Sequence, residues 1–369
     1  MSQRIVIAAG GTGGHLFPAQ ALCVELKAKL PELQLLFVAK GLADNPRFNS
    51  NLYDCVDISS SVIKSDFKTL LRAAWQISKG IWQSLRALRR FSPDLVVGFG
   101  SFHTFPVLTA AYLLGIPIVL HEANRIPGKV NRLFSKVAAW TGIYFPDTAK
   151  VLKGKSKKTD IPLRPQFHSG MRPDRHSGLA FYGLSVEAVT VLVFGGSLGA
   201  KKLNELAAKS LCLLKEKKKL QVLHFTGSFS ASQEVRNAYQ KAKLSAVVRD
   251  FESEMQYAWA AADLCLSRSG ACTIAEQMTY GVPALFIPYP FAADDHQEKN
   301  ALYVAECIGG AECLKEKGLE PDHLADALDR LLSQDSLGKM KHSLGAAQKA
   351  MQGNRFSDLL VEYLEESQK

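Results

Sequence analysis

Residues 4–27 read RIVIAAGGTGGHLFPAQALCVELK, and residues 189–213 read VTVLVFGGSLGAKKLNELAAKSLCL. Each is an apolar run, a Gly-Gly-hydroxyl-x-Gly turn, and then a helical pattern. Glycines between a strand and a helix let the backbone approach a phosphate, whose charge meets the N–H groups and positive dipole end of the helix start. One such turn is a weak signal. Two in one chain predict two nucleotide-fold halves.

The flanking sequence fits that frame. Short apolar runs at 5–8, 35–39, 95–98 and 118–121 alternate with helical patterns, and the second half repeats this at 189–194, 222–226, 247–251, 264–267 and 284–288. Such alternation marks βαβ units on doubly wound parallel sheets, which bind ligands at the carboxyl ends of their strands. Between the halves, KGKSKKTDIPLRPQFHSGMRPDRHSG (153–178) loses periodicity and reads as a linker. The expected domains are 1–163 and 164–349, with a closing helix in 350–369 packing back on the first.

With 369 residues, 47% of them apolar, the chain can bury two cores. Its seven cysteines are scattered, odd in number and without a CxxC pair, which predicts reduced core thiols in a cytosolic protein and no zinc site. Met-Ser-Gln-Arg runs straight into the first strand without a signal peptide, so the expectation is a protein that is not exported. The longest stretch free of Asp, Glu, Lys and Arg (95–120) is broken by glycines and prolines and is not a membrane span. Lys and Arg outnumber Asp and Glu by 22 to 10 in residues 1–165, whereas the remainder is close to neutral. The first half should therefore meet an anion: a nucleic acid, a membrane surface or a phosphorylated ligand.

The loop GGTGGH (10–15) lacks the Lys-Ser/Thr of a P-loop and the spacing of a dinucleotide fingerprint, so neither ATP hydrolysis nor NAD binding is indicated. Its four glycines favour close approach by a ligand. His15 is either a general base or a helix-start histidine bonded to the backbone. Polar residues ending a buried strand in HEANRIPGKVNR (121–132) read as a site or as a hydrogen-bonded loop. SRSGACTIAE (267–276) can hold a diphosphate at a helix start, with Glu276 accepting both hydroxyls of a ribose, although an ordinary capped helix has the same composition. Asp294, Asp295 and His296 are consecutive, and consecutive residues rarely converge on one metal ion.

Residues 64–91, KSDFKTLLRAAWQISKGIWQSLRALRRF, combine Leu, Ile, Phe and Trp at helical spacing with seven basic residues. This suits an anionic bilayer surface, and equally a helix packed on its sheet. No recognition motif supports nucleic-acid binding.

GGTGGH, HEANRIPGKVNR, GGSLGA, SRSGACTIAE and DHQEKNA (295–301), in this order and spacing, resemble the MurG family. These are the UDP-N-acetylglucosamine:lipid I N-acetylglucosaminyltransferases of bacterial peptidoglycan synthesis. The resemblance spans residues 4–305 and implies an α/β protein of GT-B fold, two Rossmann-like doubly wound parallel-sheet domains facing a central cleft. It implies donor contacts from Ser197 at phosphate, from Glu252 or Phe251 flanking uracil by backbone, and from Ala271, Cys272 and Thr273 at the diphosphate. Glu276 would hold the ribose, and Gln297 and Asn300 the sugar hydroxyls, while Thr12, Gly13, Gly14, Asn124 and Arg164 reach the donor from the first domain. The acceptor would meet Gly11, Gly100, Ser101, Asn131, His15 and Glu122, with His15 as base and Glu122 as an orienting or competing group. The implied reaction is a single inverting displacement without cofactor or metal.

Because lipid I lies in the cytoplasmic leaflet, the resemblance also implies a peripheral enzyme on that face of the bacterial membrane. Its contact would be Trp75, Ile77, Ile81, Trp82 and Tyr112, with Arg86 and Arg89 among the basic residues around them. Two stretches depart from the family pattern: HEQN is His121-Glu122-Ala123-Asn124 here, and GxGGYxS reads Gly98-Phe99-Gly100-Ser101-Phe102-His103-Thr104. Rival readings are a GT-B glycosyltransferase with another lipid acceptor, a UDP-sugar epimerase, and a non-catalytic membrane scaffold.

Overall fold

The computed structural model describes residues 3–61, 67–196, 200–214, 219–351 and 354–367. The chain divides into two units, Met1–Pro165 with Gly353–Lys369, and Gln166–Gln352.

The first unit runs β1 (Arg4–Ala8), α1 (Gly13–Lys29), β2 (Gln34–Ala39), β3 (Asp54–Asp57), α2 (Phe67–Phe91), β4 (Leu95–Gly98), α3 (Phe105–Leu113), β5 (Ile118–Glu122), α4 (Lys129–Phe134), β6 (Trp140–Ile143) and β7 (Ser156–Lys158). Its strands form one parallel sheet in the order β3-β2-β1-β4-β5-β6-β7. In β1, Ile5 and Ile7 join a core with α1, while Val6 and Ala8 join another with α3. A sheet covered on both faces explains why its central strands are apolar throughout rather than alternating.

The second unit runs α5 (Arg175–Tyr182), β8 (Val189–Phe194), α6 (Lys201–Leu214), β9 (Leu220–Phe225), α7 (Phe229–Lys241), β10 (Ser245–Arg249), α8 (Met255–Ala261), β11 (Leu264–Ser267), α9 (Ala271–Tyr280), β12 (Ala284–Phe286), α10 (His296–Leu302), β13 (Ala311–Cys313), α11 (Pro321–Leu331) and α12 (Gln334–Met351). Its parallel sheet has the order β10-β9-β8-β11-β12-β13. In each sheet the strand order reverses beside the first strand, between β1 and β4 and between β8 and β11, and ligands of doubly wound sheets bind outside the carboxyl ends at that point.

The last helix, α13 (Phe356–Glu366), belongs to the first unit. Phe356 is fully buried, with its ring 4.8 Å from His121, 5.5 Å from Trp140 and 6.1 Å from Phe99. Its backbone N–H donates to Asp160 Oδ1 at 2.8 Å, and Ser357 bonds the buried Glu25 at 2.6 Å.

The stretch read as a linker is instead structured at both ends. Ser156–Lys158 forms β7 against β6, and Arg175 starts α5, capped by Asp174 accepting from the Ser177 N–H at 2.8 Å. Its lysines are tolerated because β7 lies at a sheet edge, where charge also blocks further strand pairing. Strand 247–251 is displaced to Ser245–Arg249, which leaves Phe251 outside it and 64% exposed. No helix among the described residues is long and apolar enough to cross a membrane.

Candidate functional site

In the first unit the loops leaving β1 and β4 abut. A Cβ on Gly10 would lie 2.4 Å from Ser101 Cβ, so the loop can pass Ser101 only with glycine at position 10. Gly100 has φ +78°, and a Cβ there would stand 3.2 Å from Asn131 Nδ2 and 3.7 Å from His15 Cδ2. Gly10, Gly100, Ser101, Asn131 and His15 are thereby brought together at the strand-order reversal. Asn45 holds the same loop by donating to the Gly11 carbonyl at 2.8 Å.

Thr12 is the N-cap residue of α1, yet its hydroxyl makes no cap bond and instead lies 2.8 Å from His15 Nδ1. This bond orients the imidazole, and when Nδ1–H donates to Thr12, Nε2 carries the acceptor lone pair.

Glu122 ends β5 with its side chain buried. Its carboxylate accepts from Asn124 N (2.9 Å), Asn124 Nδ2 (3.3 Å), Gly128 N (2.9 Å) and Asn131 Nδ2 (2.9 Å). Burial raises its affinity for a proton, and these donors oppose that. Such a carboxylate organises the HEAN loop and the start of α4. His121 points to the opposite side, with Nε2 3.0 Å from the Asp160 carbonyl, and burial pushes its pKa down to about 4. Arg164 lies half-buried in irregular backbone at the end of this unit.

The departure at Ser101 and His103 has a local structure. Ser101 takes φ +77°, unusual for a residue with a side chain, and accepts from the His103 N–H at 3.4 Å. His103 Nδ1 lies 3.2 Å from Ser60 Oγ, and burial, with Lys40 nearby, lowers its pKa.

In the second unit, loops again leave the strands flanking the reversal, here β8 and β11. Gly195 and Gly196 follow β8, whereas Ser197 lies outside the described residues. After β11, Gly270 is the N-cap of α9, with no side-chain cap and no acidic residue in the first turn, so Ala271, Cys272 and Thr273 form a helix start suited to an anion. Burial pushes the Cys272 thiol up to about 12, which makes it a packing residue rather than a nucleophile. Glu276, further along α9, accepts from the Trp259 indole N–H at 2.8 Å.

Gln297 and Asn300 are tied to the same loop. Ser269 Oγ donates to the Gln297 carbonyl at 2.8 Å, Gln297 Oε1 accepts from the Tyr289 N–H at 3.0 Å, and the fully buried Asn300 has Nδ2 3.4 Å from the Ser269 carbonyl. Glu252 is also engaged within the protein, accepting from Tyr182 OH (3.0 Å), Arg249 (2.5 Å) and Glu254 N (2.8 Å). Its carboxylate is occupied, so only its backbone suits a role beside a base.

Arg268 and Trp259 were missed as site-building residues. Arg268 donates to the Ile287 and Pro288 carbonyls at 2.9 and 3.0 Å and pairs with Glu316 at 2.5 Å. Arg268 stood inside a quoted motif, but nothing in the sequence joins it to Glu316 or Trp259 to Glu276. Asp294 and Asp295 both adopt left-handed backbone, φ 52° and 50°, just before α10. His296 Nδ1 bonds the Ala293 carbonyl at 2.8 Å, and no metal-binding group of three His, Cys, Asp or Glu exists among the described residues.

The basic segment does two things at once. Ala73, Gly80, Ser84 and Leu88 of α2 are buried, and the helix packs on α3. Leu71, Trp75 and Trp82 stay exposed on α2, as do Tyr112 and Leu113 on α3. Lys79 Nζ lies 5.2 Å from the Trp75 ring centre, Arg86 and Arg89 are exposed, and Ile81 is half-buried.

Residues 5–143 match the glycosyltransferase family 28 N-terminal domain, and residues 190–359 match the family's C-terminal domain. A Protochlamydia amoebophila protein named UDP-N-acetylglucosamine--N-acetylmuramyl-(pentapeptide) pyrophosphoryl-undecaprenol N-acetylglucosamine transferase is 42% identical over 346 residues, 93% of this chain and 91% of that protein. A Chlamydia trachomatis protein of the same name is 34% identical, covering 94% and 95%. Among solved structures, Acinetobacter baumannii MurG superimposes with a TM-score of 0.78 at 27% identity, covering 99% and 100% of the two chains. A UDP-glucose:anthocyanidin 3-O-glucosyltransferase in complex with UDP shares the fold, with a TM-score of 0.68 at 14% identity over 95% and 94%.

Proposed function

We propose that this chain, which belongs to glycosyltransferase family 28 through both of its units, moves N-acetylglucosamine from UDP-N-acetylglucosamine to the C4 hydroxyl of the muramyl sugar of lipid I, forming lipid II. It is a hexosyltransferase of GT-B fold acting in peptidoglycan synthesis. The observation that carries this reading is the 42% identity to the P. amoebophila transferase, spread over 93% of the chain and hence over both units. The relatives' shared name favours transfer over epimerisation and over a different lipid acceptor.

In this reading the muramyl hydroxyl attacks the anomeric carbon as the bond to the diphosphate oxygen breaks, inverting the centre. The hydroxyl proton passes to His15 Nε2, whose ring is held by Thr12. Gly11, Gly100, Ser101 and Asn131 cradle the acceptor, and Glu122 shapes the loop that carries Asn124 and Asn131. The leaving diphosphate is stabilised by the amides of Ala271, Cys272 and Thr273, and by Ser197, without a metal. Glu276 takes the ribose, the Glu252 backbone the uracil, and Gln297 the sugar. The sugar contact expected of Asn300 gives way to a supporting role, its fully buried side chain holding the Ser269 carbonyl of the loop before α9. Thr12, Gly13, Gly14, Asn124 and Arg164 complete donor binding.

The enzyme is further proposed to act peripherally at the cytoplasmic face of the bacterial membrane. Trp75, Ile81, Trp82 and Tyr112 would enter the interface, with Arg86 and Arg89 facing anionic headgroups. The exposure of Trp75 and Trp82 supports this, since a helix that only packed on its sheet would bury them. No nucleic acid is assigned as a partner.

Labelled UDP-N-acetylglucosamine incubated with a lipid I analogue should yield labelled disaccharide-lipid and UDP, unchanged by chelator. Release of free sugar or an epimer without acceptor would refute the transferase reading. Vesicles containing anionic lipid should retain the protein at low salt; no sedimentation there would refute the membrane contact.

A further inference from the structure

We infer that Trp259 is a positioning residue for the nucleotide: its indole N–H fixes the Glu276 carboxylate in the orientation that receives the ribose hydroxyls. The inference rests on the reading that Glu276 binds the ribose.

Trp259 is fully buried in α8, and Glu276 lies on the neighbouring α9. The 2.8 Å bond from Nε1 to Oε2 uses the one donor an indole has. Because that donor is neutral and the carboxylate is charged, the bond belongs to the stronger, charge-assisted class. It is also anchored at its far end. The indole stands edge-on to Phe194, with centroids 5.7 Å apart and planes at 88°. Phe194 is the last residue of β8, directly before Gly195 and Gly196. One rigid side chain therefore links the end of β8, where the second glycine turn begins, to the acidic residue of α9.

A glutamate on a helix surface samples many rotamers, and binding a diol through both carboxylate oxygens requires one of them. Holding Oε2 before the ligand arrives removes that ordering from the binding step. The same bond leaves the carboxylate an acceptor, as two hydroxyl donors require. A tryptophan that merely filled the core would support every ligand of this unit alike. A tryptophan that aims Glu276 supports only ligands bearing the hydroxyls.

The test compares UDP with 2′,3′-dideoxy-UDP by calorimetry on wild type, Trp259→Phe and Glu276→Gln. Phenylalanine keeps an aromatic ring in the core and removes the N–H. Trp259→Phe should weaken UDP roughly 10-fold, the loss expected of one hydrogen bond to a charged group, and leave 2′,3′-dideoxy-UDP, which has neither hydroxyl, nearly unchanged, so the preference for the ribonucleotide collapses. Equal weakening of both ligands overturns the inference, leaving Trp259 a packing residue. If Glu276→Gln abolishes the preference while Trp259→Phe retains it, the inference alone fails. If Glu276→Gln retains the preference, the ribose reading fails and takes the inference with it. Should Trp259→Phe not fold, the Trp259 Nε1–H resonance of wild type serves instead. It should shift more on adding UDP than on adding 2′,3′-dideoxy-UDP, and identical shifts overturn the inference.

Discussion

Asn131 donates to Glu122 at 2.9 Å, and both side chains are buried. With Asn124 and Gly128 donating to the same carboxylate, the group is committed to holding its loop, which separates its role from that of His15. His15→Ala should lower turnover at least 100-fold, the usual effect of removing a general base. Glu122→Gln replaces an acceptor oxygen with a donor facing other donors. It should destabilise the first unit by about 1–3 kcal/mol and lower activity through that loss. Turnover and urea unfolding on both variants check this; unchanged turnover in His15→Ala would remove it as base.

His121 gives the first unit an acid sensitivity. Burial lowers its pKa from 6.5 to about 4, so the folded state binds fewer protons than the unfolded chain between those values. Its contribution is fully present above about pH 6.5 and is lost as pH falls towards 4, at about 1.4 kcal/mol per pH unit. His121→Gln keeps a donor for the Asp160 carbonyl and should remove that part of the slope. Urea midpoints at pH 7.5 and 5.0 measure it, and equal slopes in both proteins would contradict it.

Gly100→Ala places a methyl in a left-handed backbone and 3.2 Å from Asn131 Nδ2. The backbone strain alone is about 1–3 kcal/mol. The displaced Asn131 should raise KM for the acceptor more than KM for the donor. Steady-state kinetics with each substrate varied decide it, and equal effects on both would argue against an acceptor role for this loop.

Arg268 and Glu316 are a buried pair, with side chains 8% and 10% exposed. Arg268→Met strands Glu316 and should destabilise the second unit by about 3–5 kcal/mol. Adding Glu316→Leu should recover most of that. Chemical unfolding of the single and double variants tests it, and no recovery would mean that the contacts to the Ile287 and Pro288 carbonyls matter more than the pair.

The strands legible in the sequence were the apolar central ones, because a sheet covered on both faces leaves a continuous hydrophobic run. β3, β7 and β13, reading DCVD, SKK and AEC, are short and partly exposed, and β6 (WTGI) carries a glycine and a threonine, so none carries that run. Within the site, glycines and helix starts were readable because their chemistry is local. The Trp259–Glu276 and Arg268–Glu316 contacts were not, since each joins residues well apart in sequence and depends on how helices and loops pack. Asn300 was read as a sugar contact from its motif, and its complete burial against the Ser269 carbonyl had no sequence signal.

Phe356 fills the space beneath His121 and Trp140, so the first unit contains a piece of chain made after the whole second unit. During synthesis the amino-terminal sheet emerges first and must wait, with an open apolar face, while nearly two hundred further residues are translated. A ribosome that stalls before residue 356 leaves that sheet unfinished, however well the second unit has folded. Completion of the earliest part thus waits on translation of the whole second unit.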